Sequence, residues 1–167
     1  YLKSLVDQDA LEKFRKNALN PHGNAVTRGG AENDDVVFQG REAQNLHFAA
    51  VADIVNDYMA EISKHTGREY KPFTYYGAPD AERVIIAMGS VVETIEEVVD
   101  VLVAKGEKVG VIAVHLYRPF SAKYLGNVLP ETTKKIAVLD RTKEVGSREP
   151  LYLDVLSVLK DTDIEII

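Results

Sequence analysis

Short apolar runs alternate with helical patterns through the second half of the chain. Residues 83–88, 108–114, 135–139 and 164–167 are rich in Val, Ile and Ala. Between them Val92, Ile95, Val99 and Leu102 recur at helical spacing, with Gly106 placed to end that helix. Residues 121–128 read as a short helix capped by Ser121, and Pro150 suits the first turn of a last helix carrying Leu151, Val155, Val158 and Leu159. β-Branched runs separated by helices, with no Asn-Gly or Asp-Gly hairpin between them, predict a mostly parallel sheet buried on both faces. The expected fold is therefore a three-layer α/β domain.

Upstream the pattern changes. Val51, Val55, Tyr58 and Ile62 predict a helix ended by Gly67, and residues 73–76 a short aromatic strand or a lead-in to the sheet. Val6, Leu11 and Phe14 predict a short amphipathic helix with Asp7 or Asp9 as its cap, stopped at Asn20-Pro21. Residues 22–41 hold four glycines and little periodicity, which reads as an arm or long loop. The expected organisation is an N-terminal helix and interdomain arm over residues 1–44, then the α/β domain over residues 45–167.

Composition narrows the function classes. With 46% hydrophobic residues the chain can bury a sizeable core. A formal charge of -6 with no basic stripe excludes a nucleic-acid footprint or an anionic-membrane patch. There is no cysteine, hence no disulfide and no thiolate-held zinc or iron–sulfur cluster. No apolar run approaches the roughly 18 residues that span a bilayer, and no basic segment precedes a signal-like stretch, so a cytoplasmic location is expected. The chain opens on Tyr1 and closes on an apolar run, which reads as a piece of something longer.

Ligands of open parallel sheets sit beyond the carboxyl ends of the strands, which directs attention to Gly89-Ser90, residues 115–120 and residues 140–147. Gly89-Ser90 enters a helix, where free N–H groups and the positive dipole end favour an anion such as a phosphate; the plainer reading is a tight turn with an N-cap. No GxGxxG or GxxxxGK[ST] supports nucleotide binding. His115 lacks a positioned carboxylate and reads as a packed or surface group rather than a general base. Arg118 before Pro119 suits an interdomain or carboxylate contact, or an ordinary salt bridge. Asp140 stands where a receiver domain carries its phosphoacceptor, but the first run ends in Met88-Gly89-Ser90 without the acidic pair that would hold magnesium. A flavodoxin is excluded similarly, because no Ser/Thr-rich phosphate loop follows the first strand. His22, His47, His65 and His115 are scattered without metal-ligand spacing, and Glu32, Asp34 and Asp35 read as a solvated loop. Tyr70, Phe73, Tyr75 and Tyr76 read as core or interdomain packing.

PHGNAVTRGGAENDDVVFQGREA (residues 21–43), AERVIIAMGSVVETIEE, LYRPF and VLDRTKEVGSREPLYLDV (residues 138–155) together resemble segments of pyruvate:ferredoxin (flavodoxin) oxidoreductase, in the family's order and over most of the chain. The first segment resembles the family pattern NPxHPxxRGTAQNPDxxFQxREA. It keeps Arg28, Asn33, Asp35, Phe38, Gln39 and Arg41 and departs at Gly30, Glu32 and Asp34, where Thr, Gln and Pro are usual. The resemblance implies the second domain of that enzyme, similar in fold to the C-terminal domain of transketolases. It implies a parent that uses thiamine diphosphate, magnesium, 4Fe-4S clusters and coenzyme A to convert pyruvate and CoA to acetyl-CoA, CO2 and reduced ferredoxin or flavodoxin, as a homo-oligomer. None of those groups maps onto this chain, which has neither cysteine nor a GDG…N motif. The expected role is a non-catalytic docking domain, inactive alone, whose candidate interdomain contacts are Arg28, Asn33, Asp35, Gln39, Arg41 and Arg118. Two alternatives stand beside it: a free-standing module that binds a phosphate-bearing, CoA-like ligand at Gly89-Ser90 with Arg118, and the C-terminal domain of a split 2-oxoacid dehydrogenase or transketolase.

Overall fold

A computed structural model describes residues 2–25, 31–143 and 145–167. The chain divides into two compact units, Tyr1–Ala43 and Gln44–Ile167. The first carries a 3-10 turn, Leu2–Leu5, and helix α1, Gln8–Lys16. Asp7 caps α1 by accepting the Ala10 N–H at 3.0 Å, satisfying one of the free donors of the first turn. A tight turn follows, in which Asn20 Oδ1 accepts the N–H groups of His22 and Gly23 at 3.1 and 2.6 Å. No residue of α1 is buried, and Phe14 is exposed.

Helix α2 spans Asp34–Thr66 and begins well before the stripe of Val51, Val55, Tyr58 and Ile62 that predicts it. Of the loop expected over residues 22–41, residues 26–30 lie outside the described residues, and residues 34–41 are helical and continuous with the helix predicted further on. Asp34 and Asp35 occupy the first turn, where the helix dipole favours negative charge, and Gln39, Arg41, Glu42 and Ala43 are good helix formers. Those contributions outweigh the roughly 1 kcal/mol that Gly40 costs in the interior. Of the residues in α2 only Ala52 is buried. Gly67, at φ +71°, ends the helix as expected.

The second unit holds a five-stranded sheet: β1 (Phe73–Gly77), β2 (Arg83–Ala87), β3 (Val109–Val114), β4 (Lys135–Val138) and β5 (Glu165–Ile166), in the order β1-β3-β2-β4-β5. β2, β3, β4 and β5 are mutually parallel, and β1 pairs antiparallel with β3 from Phe73 opposite Val114 to Gly77 opposite Gly110. The connecting helices are α3 (Val91–Ala104), α4 (Ala122–Val128) and α5 (Pro150–Leu159). Side chains alternate across the strands, so Val84, Ile86, Ile112, Val114 and Ile136 share one face with Leu125, Leu151 and Val155, while Ala87, Val111 and Ala113 share the other with Val92, Ile95 and Val99. Chain direction explains this split. The step from β2 to β3 runs toward β1, whereas the steps to β4 and β5 run the other way, and right-handed crossovers then place α3 on one face and α4 and α5 on the other. The fold is thus the expected α/β arrangement, with β1 as the antiparallel edge strand.

The aromatic group divides. Phe73 is buried, its ring 5.4 Å from that of Phe120 in an edge-to-face contact. Tyr75 sends its hydroxyl to the Ala78 carbonyl, while Tyr70 and Tyr76 remain exposed. Ser90 and Ser121 both occupy N-cap positions, yet neither side chain makes a capping hydrogen bond. For Ser90 the cause is a helical backbone, φ -64° and ψ -17°, which does not present the side chain as an extended cap residue does. No helix of the described residues is long and apolar enough to cross a membrane.

Candidate functional site

The carboxyl edge of the parallel strands gathers the loops that the sequence singled out. Gly89, at φ +80°, turns the chain from β2 into α3, a conformation that glycine adopts without strain. Gly89 and Ser90 line an open cleft of about 450 Å³ with Thr74, Glu93, Glu96 and His115, among others. Thr74 Oγ1 and His115 Nε2 are 3.0 Å apart across its wall. An adjoining hollow is lined by Gly89, Ser90, Thr94 and Arg141. The helix start favours an anion, but two carboxylates, Glu93 and Glu96, face the same cleft and oppose one.

Asp140 is committed to backbone donors. Its Oδ1 accepts the Thr142 N–H at 3.0 Å and its Oδ2 the Leu151 N–H at 2.9 Å. Burial pushes the carboxyl upward, but the N–H groups of Thr142, Leu151 and Arg141 outweigh it and hold the group below its ordinary value. A carboxylate occupied in this way is a structural acceptor.

Arg118 donates through Nη1 to Asp154 Oδ2 of α5 at 2.7 Å, and its guanidinium lies 3.9 Å from the centre of the Tyr117 ring. Its partner is thus within its own unit. The remaining candidates belong to the segment around the start of α2. The Asn33 carbonyl accepts the Val37 N–H at 3.0 Å in the first turn. Asp35 and Gln39, four residues apart, share a face of α2, and Arg41, two residues beyond Gln39, turns to a different one. All four are exposed. Arg28 and Gly30 lie outside the described residues.

One polar cluster was not foreseen. Asp53 Oδ1 on α2 accepts from Lys123 Nζ at 2.8 Å and from Tyr124 Oη at 2.7 Å, joining α2 to α4. The Lys123 ammonium, then the Tyr124 hydroxyl, hold the Asp53 carboxyl below its ordinary value. Nothing local in the sequence marks this cluster, because Asp53 lies 70 residues before Lys123, and Asp53 and Lys123 are exposed while Tyr124 is half-buried against the core.

With no cysteine the chain offers no thiolate for an iron–sulfur cluster. Among the described residues no group of three or more His, Cys, Asp or Glu side chains is arranged to hold a metal ion.

Comparison with known proteins gives a consistent picture. The chain is 58% identical over 163 residues to a pyruvate-flavodoxin oxidoreductase of Enterobacter agglomerans, covering 97% of this chain and 14% of that protein. It is 58% identical over 155 residues to a pyruvate-flavodoxin oxidoreductase of Klebsiella pneumoniae, covering 92% of this chain and 13% of that protein. With a pyruvate:ferredoxin oxidoreductase of Moorella thermoacetica the identity is 55% over 161 residues, covering 96% and 14%. The chain therefore spans about one seventh of the length of these relatives. Residues 81–167, just over half of the chain, match the family model for pyruvate:ferredoxin oxidoreductase core domain II, and the chain belongs to that family.

Proposed function

We propose that this chain is a non-catalytic docking domain of a thiamine-diphosphate-dependent oxidoreductase that converts pyruvate and CoA to acetyl-CoA, CO2 and reduced ferredoxin or flavodoxin. The observation that carries the reading is the first half of α2. Val36, Val37, Phe38, Leu46 and Phe48 are all exposed, Leu46 at 81%, on a helix that buries one residue. A helix of this kind has little reason to stay apolar in water unless another surface covers it. Asp35, Gln39 and Arg41 supply polar contacts around that surface, with Arg28 upstream. The rest of the parent holds thiamine diphosphate, magnesium, the clusters and CoA, and the cleft at Gly89-Ser90 has no part in the chemistry.

The test compares the isolated 167-residue chain with the whole polypeptide that contains it. The isolated chain is expected to show no pyruvate oxidation with CoA and a low-potential dye. Phe38→Asp is expected to weaken assembly of the whole polypeptide while leaving the melting temperature of the isolated chain within about 2 °C, as befits a surface change. Turnover by the isolated chain would sink the reading, and so would an unaltered assembly.

A further inference from the structure

The two faces of the sheet are covered unequally. α4 and α5 lie over one face, whereas on the other α3 packs on β3 and β1. Beside α3 a trough of about 230 Å³ runs over β2 and β4, floored by Ile85 and Ala137 and walled by Val98, Leu102 and Ile167. Val91 and Leu139 extend the apolar surface toward the carboxyl edge. α3 carries a second stripe for this purpose: Val91, Ile95, Val98 and Leu102 follow one another at spacings of four, three and four. Val98 is 52% exposed and Leu139 44%.

The crossover rule explains why this domain leaves the trough open. A helix reaches the α3 face when its connection runs toward β1, and the other face when it runs toward β5. A further crossover past β5 in the same direction would add its helix to the face that is already covered. The cover must therefore come from an element docking from outside this winding. Charge indicates what kind of contact it makes. Arg83 and Lys135, paired in register at one end of the trough, are already joined to Glu107 and Glu165. What remains for a visitor over the trough is apolar, with Arg141 and Thr142 at its carboxyl end.

We propose that the trough receives an amphipathic helix of the same polypeptide, from outside these 167 residues, which lays about three turns of apolar side chains against Val91, Val98, Leu102, Ala137 and Leu139. The stripe on α3 is about 16 Å long at 1.5 Å per residue, which matches three helical turns. The proposal rests on the reading that the chain is one domain of a larger oxidoreductase. The relatives, of which this chain spans 14% or less, supply the length from which such a helix can come.

Val98 and Val101 provide the test, because they are 52% and 54% exposed on the same helix and only Val98 lines the trough. Val98→Cys and Val101→Cys are made in the whole polypeptide and labelled with a maleimide, the rate at each site being read by peptide mass mapping. Each rate is taken relative to the same variant unfolded in guanidinium. The expected result is at least tenfold protection at the Val98→Cys site, independent of protein concentration, and clearly weaker protection at Val101→Cys. No protection at Val98→Cys overturns the proposal. Protection that disappears on dilution also overturns it, in favour of a second copy. Pyruvate oxidation by the unlabelled polypeptide is measured separately: activity without protection defeats the trough proposal alone, and protection without activity defeats only the functional reading.

Discussion

Asp140 Oδ2 accepts the backbone N–H of Leu151 at 2.9 Å, so a carboxylate just past β4 closes the first turn of α5 from eleven residues away. Glu149, in the N-cap position itself, makes no side-chain cap. Asp140→Ala should therefore behave like loss of an N-cap, costing about 1–2 kcal/mol. The folded carboxyl is held below its ordinary value, so its contribution is fully present above the ordinary carboxylate range and lost as pH falls through the folded value. Urea denaturation at neutral pH and at strongly acidic pH checks this. The gap between wild type and variant should shrink in acid, and a gap that persists would show that charge has no role in the cap.

The sheet was legible because its runs and stripes obey simple periods. Of the stripe Val92, Ile95, Val99 and Leu102, the first three are buried and Leu102 is half-buried, lining the trough beside α3. Asp140 was considered as a reactive group, and what the sequence hid was its partner, since a backbone N–H carries no residue identity. Residues 34–41 were read as loop because glycines around them suggested flexibility, whereas the acidic first turn and the helix formers after Gly40 prevailed. The Asp53, Lys123 and Tyr124 cluster is invisible in the sequence because only the fold brings together residues 70 or more positions apart. Arg118 suits an interdomain or carboxylate contact by its sequence; in the fold it meets Asp154, a pairing that depends on how α5 docks.

Adjacent threonines have opposite fates. Thr132 Oγ1 donates to the Ala81 carbonyl at 2.8 Å, whereas Thr133 Oγ1 is buried with no hydrogen-bond partner among the described residues. A buried hydroxyl without a partner carries a desolvation cost that an isosteric methyl avoids. Thr133→Val should stabilise the domain by about 1 kcal/mol, and Thr132→Val should destabilise it by a similar amount. Thermal melts of the two variants decide the matter: equal shifts in one direction would contradict the assignment.

Arg118 joins the loop after β3 to α5 through Asp154, and lies against Tyr117. The contacts of Arg118 with Asp154 and with Tyr117 are both partly open to solvent, which limits their worth. Arg118→Ala is expected to cost about 1 kcal/mol, and Arg118→Lys to recover less than half of that, because a lysine keeps the charge but not the planar group over the ring. A double-mutant cycle with Asp154→Ala should return a coupling of about 0.5 kcal/mol that falls in high salt. A coupling indistinguishable from zero at low salt would assign the effect of Arg118 to its contacts with Tyr117, the ring face and the carbonyl and hydroxyl oxygens to which it donates.

Gly40 lies inside α2, and a Cβ there would meet, within 4 Å, no atom of the described residues beyond its own helix backbone. In the domain by itself a glycine in that position only weakens the helix, so Gly40→Ala should raise stability by about 0.5–1 kcal/mol. The same site tests whether the exposed half of α2 is a docking surface. Phe38 and Val37 flank it and are open to solvent, and a covering surface can approach the backbone most closely where no side chain stands. In the whole polypeptide Gly40→Ala should then weaken assembly although it strengthens the domain, with Gly40→Leu worse than Gly40→Ala. Melting of the isolated domain and native-state sizing of the whole protein give the two readings independently. If all three forms assemble alike, the glycine is only an unoptimised helix position, and the covering surface does not reach it.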